Sequence, residues 1–338
     1  MDNIGFIGLG KLGLPVAEVL SEQYKVFGFD IKPITHNNIT ITKSIEEVLN
    51  SSNIIFVAVQ TPHATEYGGE LPNTHLPKSN FDYTILKNTL IEISKHSNPS
   101  HTIIIISTVL PGTIRKELKT IIKNGSLIYN PYLIAMGTVK EDFKNPEMII
   151  IGSETGDEKQ DEVLNLKSIY TKFTPSTCRY EIGTWEEAES IKIFYNTFIS
   201  AKIAIVNMIQ DVAEKNGNMN VDIVTNALAK STKRITSPAY MKAGMGDGGP
   251  CHPRDNIALS WLASNLDLGY DLFESINISR EQQAKNLAKK LIEFKNPVVL
   301  LGTHYKPNTT LTDGSYALLV TLIQATNHKL YFNNHPVH

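Results

Sequence analysis

The sequence predicts an α/β protein: a doubly wound parallel-sheet domain first, then a helical domain built on one long helix, then a partial βαβ piece of the same kind as the first. Three observations predict it. Short Ile- and Val-rich runs alternate with helix-like stretches over roughly the first 180 residues, as a parallel sheet covered on both faces requires. A Gly-x-Gly-x-x-Gly follows the first of those runs. From Thr184 to Gly217 the pattern is helical, with no Gly or Pro to interrupt it.

Taken in order, the strand-like runs are Ile4 to Ile7, Lys25 to Phe29, Ile54 to Val59, Thr102 to Ile106, Leu127 to Tyr129 and Met148 to Ile151. Helical periodicity fills the gaps, for example at Leu14 to Glu22 and Tyr83 to Ser94. Thr184 and Glu187 stand at capping-box spacing before the long helix. Along it Ala188, Ile191, Tyr195, Phe198, Ile205 and Ile209 recur every three or four residues, an apolar stripe that calls for a partner beyond its own domain. A second helical block runs to about Phe294, broken at Ser237-Pro238 and by the glycine-rich stretch Gly244 to Gly249. Pro297 to Leu301, Gly314 to Thr326 and His328 to Phe332 then read as strand, helix, strand. The expected domains are residues 1–183, 184–294 and 295–338. A single βαβ unit is too small to stand alone, so the last piece is expected to pack on another chain or to be a shortened form of a larger domain.

Composition narrows the function classes. With 41% hydrophobic and 20% charged residues the chain is an ordinary globular one. Its 32 basic and 34 acidic residues nearly cancel and form no basic stripe with aromatics, so no nucleic-acid partner is implied. No signal-peptide pattern opens the chain, and no apolar run has the length of a membrane span. Cys178 and Cys251 are the only cysteines, without zinc-ligand spacing. Free thiols in a reducing cytoplasm are the expectation.

The first glycine cluster carries the cofactor reading. Gly8, Gly10 and Gly13, with Lys11 and Leu12 between them, join a strand to a helix. The first glycine permits the turn, the second lets a pyrophosphate reach the backbone, and the third lets helix and strand pack closely. Asp30 ends the next strand about 20 residues on, where a carboxylate accepts the ribose hydroxyls of NAD and repels the extra phosphate of NADP. This is a Rossmann fingerprint, and NAD is the cofactor it predicts. Two further strand ends, Val59-Gln60-Thr61-Pro62 and Ser107 to Thr113, carry small hydroxyl residues where ligands bind in such sheets.

A second group of residues carries chemistry. Lys192 and Asn196 lie one helical turn apart, a lysine and an amide able to steady a forming alkoxide. In Gly246-Asp247-Gly248-Gly249-Pro250-Cys251-His252-Pro253-Arg254-Asp255 a cysteine follows a glycine run and precedes two charged residues, an unusual setting for a space-filling thiol. A thiol with NAD suggests trapping an aldehyde as a thiohemiacetal, oxidising it to a thioester and hydrolysing that to an acid.

Together these segments resemble the UDP-glucose and GDP-mannose dehydrogenases. The match runs through Gly5 to Gly10, Val59 to Pro62, Ser107-Thr108-Val109, Asn130-Pro131, Ala188-Glu189 with Lys192 and Asn196, Gly248-Gly249 with Cys251 to Asp255, and Tyr305 to Thr309, in the family's order. The resemblance implies a four-electron oxidation at C6 of a nucleotide sugar, UDP-glucose by preference, consuming two NAD. It implies Cys251 as nucleophile, Lys192 and Asn196 at the oxyanion, Asp255 in proton movement, Thr108 at cofactor and substrate, and Thr61 and Arg254 at the cofactor. It implies a substrate surface from Tyr132, Leu133, Lys192, Asn196, Arg234, Gly248, Gly249 and Lys306, and a homodimer through the 184–216 helix. Tyr132 and Met136 stand where the family has glutamates, and Asp313 where it has an arginine. Two other readings stay open: a two-electron hydroxyacid dehydrogenase, which needs no cysteine, and a binding protein without turnover.

Overall fold

The computed structural model describes residues 3–232, 244, 246–265, 271–294, 296–301 and 312–333. The chain divides into two compact units, one of residues 1–62 and 81–193, the other of residues 63–80 and 194–338.

The first unit holds an eight-stranded sheet. In chain order its elements are β1 (Ile4–Ile7), α1 (Gly13–Leu20), β2 (Val26–Phe29), β3 (Ile39–Ile41), α2 (Ile45–Ser51), β4 (Ile54–Val57), α3 (Thr84–His96), β5 (Thr102–Ile105), β6 (Ser126–Tyr129), α4 (Val139–Lys144), β7 (Ile149–Ser153), α5 (Asp161–Tyr170) and β8 (Tyr180–Thr184). The strand order is β3-β2-β1-β4-β5-β6-β7-β8. Its first six strands follow the doubly wound order, with the reversal between β1 and β4. Strands β1, β4, β5 and β7 are buried, or nearly so, along their whole length, which is why each reads as an unbroken apolar run.

Two expectations need correction here. Strand β7 pairs antiparallel with β6, so the sheet is not wholly parallel. Burial on both faces sets the apolar run whichever way a strand points, so the sequence pattern carries no sign of direction. Strands β3 and β8 escaped the sequence reading because they are the two edges: each buries less, and β8 is only half-buried throughout.

The long helix α6 (Trp185–Asn216) starts where the capping box places it. Thr184 Oγ1 accepts from the Glu187 amide at 3.3 Å, and Glu187 Oε2 accepts from the Thr184 amide at 2.7 Å. Trp185, nearly fully buried, donates its indole N–H to the Leu127 carbonyl at 3.2 Å and so fixes the helix start on the sheet. Gly217, in the left-handed region at φ +67°, ends it.

The second unit continues with α7 (Val221–Ala229), α8 (Cys251–Asn265), α9 (Leu272–Glu293), β9 (Val298–Leu301), α10 (Ser315–Gln324) and β10 (Leu330–Asn333). Strands β9 and β10 pair in parallel across α10, as the βαβ reading expects. Val298, Leu319 and Ile323 join Ala288 of α9 in a small apolar cluster that seats this piece on the helices. Among the described residues no helix is long and apolar enough to cross a membrane.

Candidate active site

The cofactor site is built by backbone geometry at the carboxyl ends of β1, β2 and β4, within the first unit. Gly8 sits at φ +95°, and a Cβ there would lie 2.7 Å from the Ala58 carbonyl oxygen at the end of β4. A Cβ on Gly13 would lie 1.9 Å from the Gly8 carbonyl oxygen, so helix α1 can begin this close to the strand only on a glycine. At Gly10 a side chain would meet open space, which leaves the backbone approachable from outside. Lys11 is exposed, Leu12 half-buried, and no side chain caps the start of α1. Asp30 ends β2 with both oxygens engaged: Oδ2 accepts from the Leu9 amide at 2.7 Å and Oδ1 from the Lys32 amide at 2.8 Å. Each oxygen keeps a lone pair for a ribose hydroxyl. An open glycine turn, an uncapped helix start and a carboxylate held beside them fit a dinucleotide, whose pyrophosphate would lie on Gly10 to Gly13 and whose ribose would meet Asp30.

The β5 strand end beside it is tightly held. Thr61 is buried and donates its hydroxyl to the Thr108 carbonyl at 2.8 Å, so it ties β4 to β5 instead of presenting an open donor. Ser107 Oγ donates to the Val59 carbonyl at 2.6 Å. The Leu110 amide donates to the Tyr83 hydroxyl at 3.0 Å, and burial pushes that phenol up to about 12. Glu189, fully buried on α6, accepts from the amides of Gly112 at 2.5 Å and Ile114 at 2.8 Å. Burial raises its carboxyl to about 7 against the pull of those two bonds. The sequence reading singled out Glu189 as part of a motif without giving it a task; no local pattern connects it to a loop some 75 residues earlier.

Tyr132 is a correction. It follows β6 but turns into the apolar core, packed edge-on against Phe143 with ring centroids 5.5 Å apart. Burial holds its phenol well above the ordinary tyrosine range, so it is a neutral, enclosed group with little surface for a ligand. Leu133 beside it is half-buried and Met136 likewise.

In the second unit, Cys251 is the first residue of α8 and is an exposed free thiol. One turn further along α8, Asp255 is fully buried. Its Oδ1 accepts from Arg254 Nε at 2.9 Å and pairs with Nη2 at 2.8 Å, while Oδ2 accepts from Asn196 Nδ2 at 2.7 Å. The structure thus joins Asn196, Arg254 and Asp255 in one network, with Arg254 committed to the carboxylate. His252 Nδ1 meets Ser200 Oγ at 2.7 Å, which anchors the start of α8 to α6. Gly249, at φ +77°, donates its amide to the Asp313 carbonyl at 3.1 Å, and Gly248 bridges to Gly314. Below the glycine run, Asp247 is buried with Arg280: Nε meets Oδ1 at 2.6 Å, and Ser315 Oγ meets the same oxygen at 2.6 Å. Burial works against this carboxylate's charge, yet Arg280 and the other donors hold it below the usual range. Asp247, Asn256, Arg280 and Gln283 line a small pocket. Lys192 lies half-buried on α6 in the first unit. Arg234 and Lys306 lie outside the described residues.

Residues 31–174 match the NAD binding domain of the UDP-glucose/GDP-mannose dehydrogenase family, and residues 186–281 match its central domain. The chain belongs to that family. A UDP-glucose 6-dehydrogenase of Rickettsia felis is 25% identical over 332 residues, 95% of this chain and 68% of the relative. One of Bacillus subtilis is 26% identical over 306 residues, 87% of this chain and 61% of the relative. The chain thus spans about two thirds of the length of these relatives. Among solved structures, a UDP-glucose dehydrogenase of Pyrobaculum islandicum superposes with a TM-score of 0.83 at 22% identity, over 99% of this chain and 82% of that one. A UDP-D-ManNAc dehydrogenase of Pyrococcus horikoshii does so with 0.78 at 22% identity, over 99% and 85%. The family is one of nucleotide-sugar dehydrogenases, oxidoreductases that use NAD, and this chain carries its NAD binding domain.

Proposed function

We propose that the chain oxidises the C6 alcohol of a nucleotide sugar, UDP-glucose first among them, to the uronic acid through a covalent Cys251 intermediate. The observation that carries this reading is the head of α8, where an exposed thiol precedes by one turn a buried carboxylate held by Asn196 and Arg254. The names of the Rickettsia and Bacillus relatives favour UDP-glucose as the sugar nucleotide.

NAD, when bound, supplies the hydride acceptor, one molecule for each of two transfers. Thr108 touches both cofactor and substrate. Lys192 donates to the alkoxide that forms as the C6 hydroxyl loses its proton, and the second amide N–H of Asn196 supports the same oxygen. Loss of hydride and proton leaves an aldehyde. The Cys251 sulfur adds to its carbon and the oxygen takes a proton, giving a thiohemiacetal. A second loss of hydride and proton gives the thioester. Water then adds, the carbon–sulfur bond breaks, and acid and free thiol are released. Asp255 holds the Asn196 amide in place and passes a proton to or from that water, since the enclosed Tyr132 phenol does not act as a base. Gly248, Gly249, Leu133, Arg234 and Lys306 are assigned to the sugar nucleotide. A homodimer through α6 accounts for Phe194 and Phe198, which are 45% and 73% exposed.

The same enclosed Tyr132 favours a second reading, a protein that binds NAD and sugar nucleotide without turnover. NADH released per sugar consumed, with UDP-glucose, GDP-mannose and UDP-N-acetyl sugars in turn, separates the two. Two NADH per sugar in the wild type, with acid formation by Cys251→Ser lowered at least 1,000-fold, is the expected result, of the order that loss of a nucleophile brings. Binding without NADH for any of them establishes the second reading.

A further inference from the structure

We propose that Glu189 is a positioning residue that ties the loop carrying Thr108 to the turn of α6 carrying Lys192, so that its charge state sets the alignment of the two. The roles of Thr108 and Lys192 rest on the reading above; the tie itself rests on geometry within the first unit. After β5 the chain turns from Thr108 through Pro111 and Gly112, at φ +87°, into a π-helical turn over Ile114–Leu118. The turn buries the amides of Gly112 and Ile114, and a buried donor needs an acceptor. Glu189 provides both from across the unit. The other end of the loop is fixed by Thr61 on the Thr108 carbonyl and by Tyr83 on the Leu110 amide. Thr108 is therefore held on one side by the sheet and on the other by α6.

Lys192 follows Glu189 by three residues and so projects from the same side of α6. A shift of that helix turn that moves Lys192 also moves the two amides hung on Glu189. The charged carboxylate offers full acceptors to both N–H groups; protonation converts one oxygen to a hydroxyl and weakens one of the two bonds. The groups facing this carboxylate are Glu186 on its own helix, Arg115 from the π-helical turn and Tyr83 from the start of α3. Glu186 is engaged by Arg115, at 2.5 Å from Nε, so the net local charge beyond Glu189 is small. Burial brings the Glu189 carboxyl to about 7, which places the change of state in the working range of pH.

The test is hydrogen–deuterium exchange of the 108–114 peptide from pH 6 to 8 in the wild type and Glu189→Gln, corrected for intrinsic rates, with steady-state kinetics alongside. Local opening of this loop leaves Glu189 buried but without the two amides that pull its carboxyl down, so protonation favours that opening even though burial makes the whole fold prefer the protonated form. In the wild type, protection of this peptide is expected to fall about tenfold from pH 8 to 6, the size of one charge-assisted bond, and the β5 peptide is expected not to show this fall. In Glu189→Gln it is expected to be low and independent of pH, with kcat lowered about tenfold and KM for the nucleotide sugar changed less than twofold. Protection that is flat in the wild type overturns the proposal without recourse to the variant, as does a Glu189→Gln protein that matches the wild type or one whose kcat is unchanged. If the wild type turns over no nucleotide sugar, the functional reading fails while the exchange result still decides whether the tie exists.

Discussion

Two aspartates, one in each unit, are held in opposite ways. Asp30 is half-buried and takes its hydrogen bonds from two backbone amides within reach of the glycine turn. Asp255 is fully buried and takes its own from two side chains, Arg254 next to it and Asn196 on another helix. Backbone partners come with the local fold, whatever side chains surround them. Side-chain partners must themselves be placed, and each leaves an unmatched buried group if its counterpart is removed. Asp30 is therefore a fitting for a ligand, whereas Asp255 also supports the unit that contains it. Glu189 lies between the two cases, with backbone partners like Asp30 and full burial like Asp255.

The sharpest way to break this contrast is Asp255→Ala. It takes the carboxylate away from a half-buried guanidinium and a half-buried amide, and is expected to destabilise the second unit by on the order of 1–3 kcal/mol, read as a fall in the urea midpoint. An unchanged midpoint means that the network carries no stability and the contrast is empty.

Glu189 sharpens the comparison through pH. Its carboxyl is raised in the folded chain, to about 7, so the native state binds the proton more tightly than the unfolded chain does. The stabilising contribution is complete below the ordinary glutamate value near 4.5 and is lost as pH rises through 7. Relative to Glu189→Gln, which does not titrate, wild-type stability is expected to decline by on the order of 3 kcal/mol between pH 4.5 and 7 and to level off above 8. A difference in Tm between the two proteins that is independent of pH shows that backbone partners, not burial, govern this carboxylate.

Asp30→Ala has the smallest expected effect on the fold and a clear one on the ligand. It frees the Leu9 and Lys32 amides and removes the ribose acceptor, so NAD affinity is expected to fall about 10- to 100-fold with Tm nearly unchanged, and the preference over NADP to narrow. Calorimetric titration with both nucleotides reads it. A marked loss of Tm places Asp30 with Asp255 as a structural group.

How much of this was legible in the residues follows the same division. The glycine turn and Asp30 were readable because a strand, a turn and a helix start are local: Gly8 turns in the left-handed region, and Gly13 is required by the Gly8 carbonyl five residues before it. The capping box of α6 was readable for the same reason. The Glu189 tie was not: its partners, Gly112 and Ile114, are some 75 residues away, and only the docking of α6 on the sheet, through Trp185 and Leu127, brings them together. Tyr132 illustrates the reverse error, a side chain assigned to a ligand surface by the family resemblance and found packed against Phe143.

The sequence by itself determined the alternation of strands and helices, the NAD fingerprint, the length of α6 and the family to which the chain belongs, because periodicity, turn chemistry and motif spacing are properties of neighbours along the chain. Tertiary structure alone decided the antiparallel direction of β7, the burial of Tyr132, the commitment of Arg254 and Asn196 to Asp255, and the hold of Glu189 on the Thr108 loop. Those depend on which surfaces meet, and the free energy that selects them, burial of apolar area against the desolvation of buried polar groups, is summed over residues far apart in sequence.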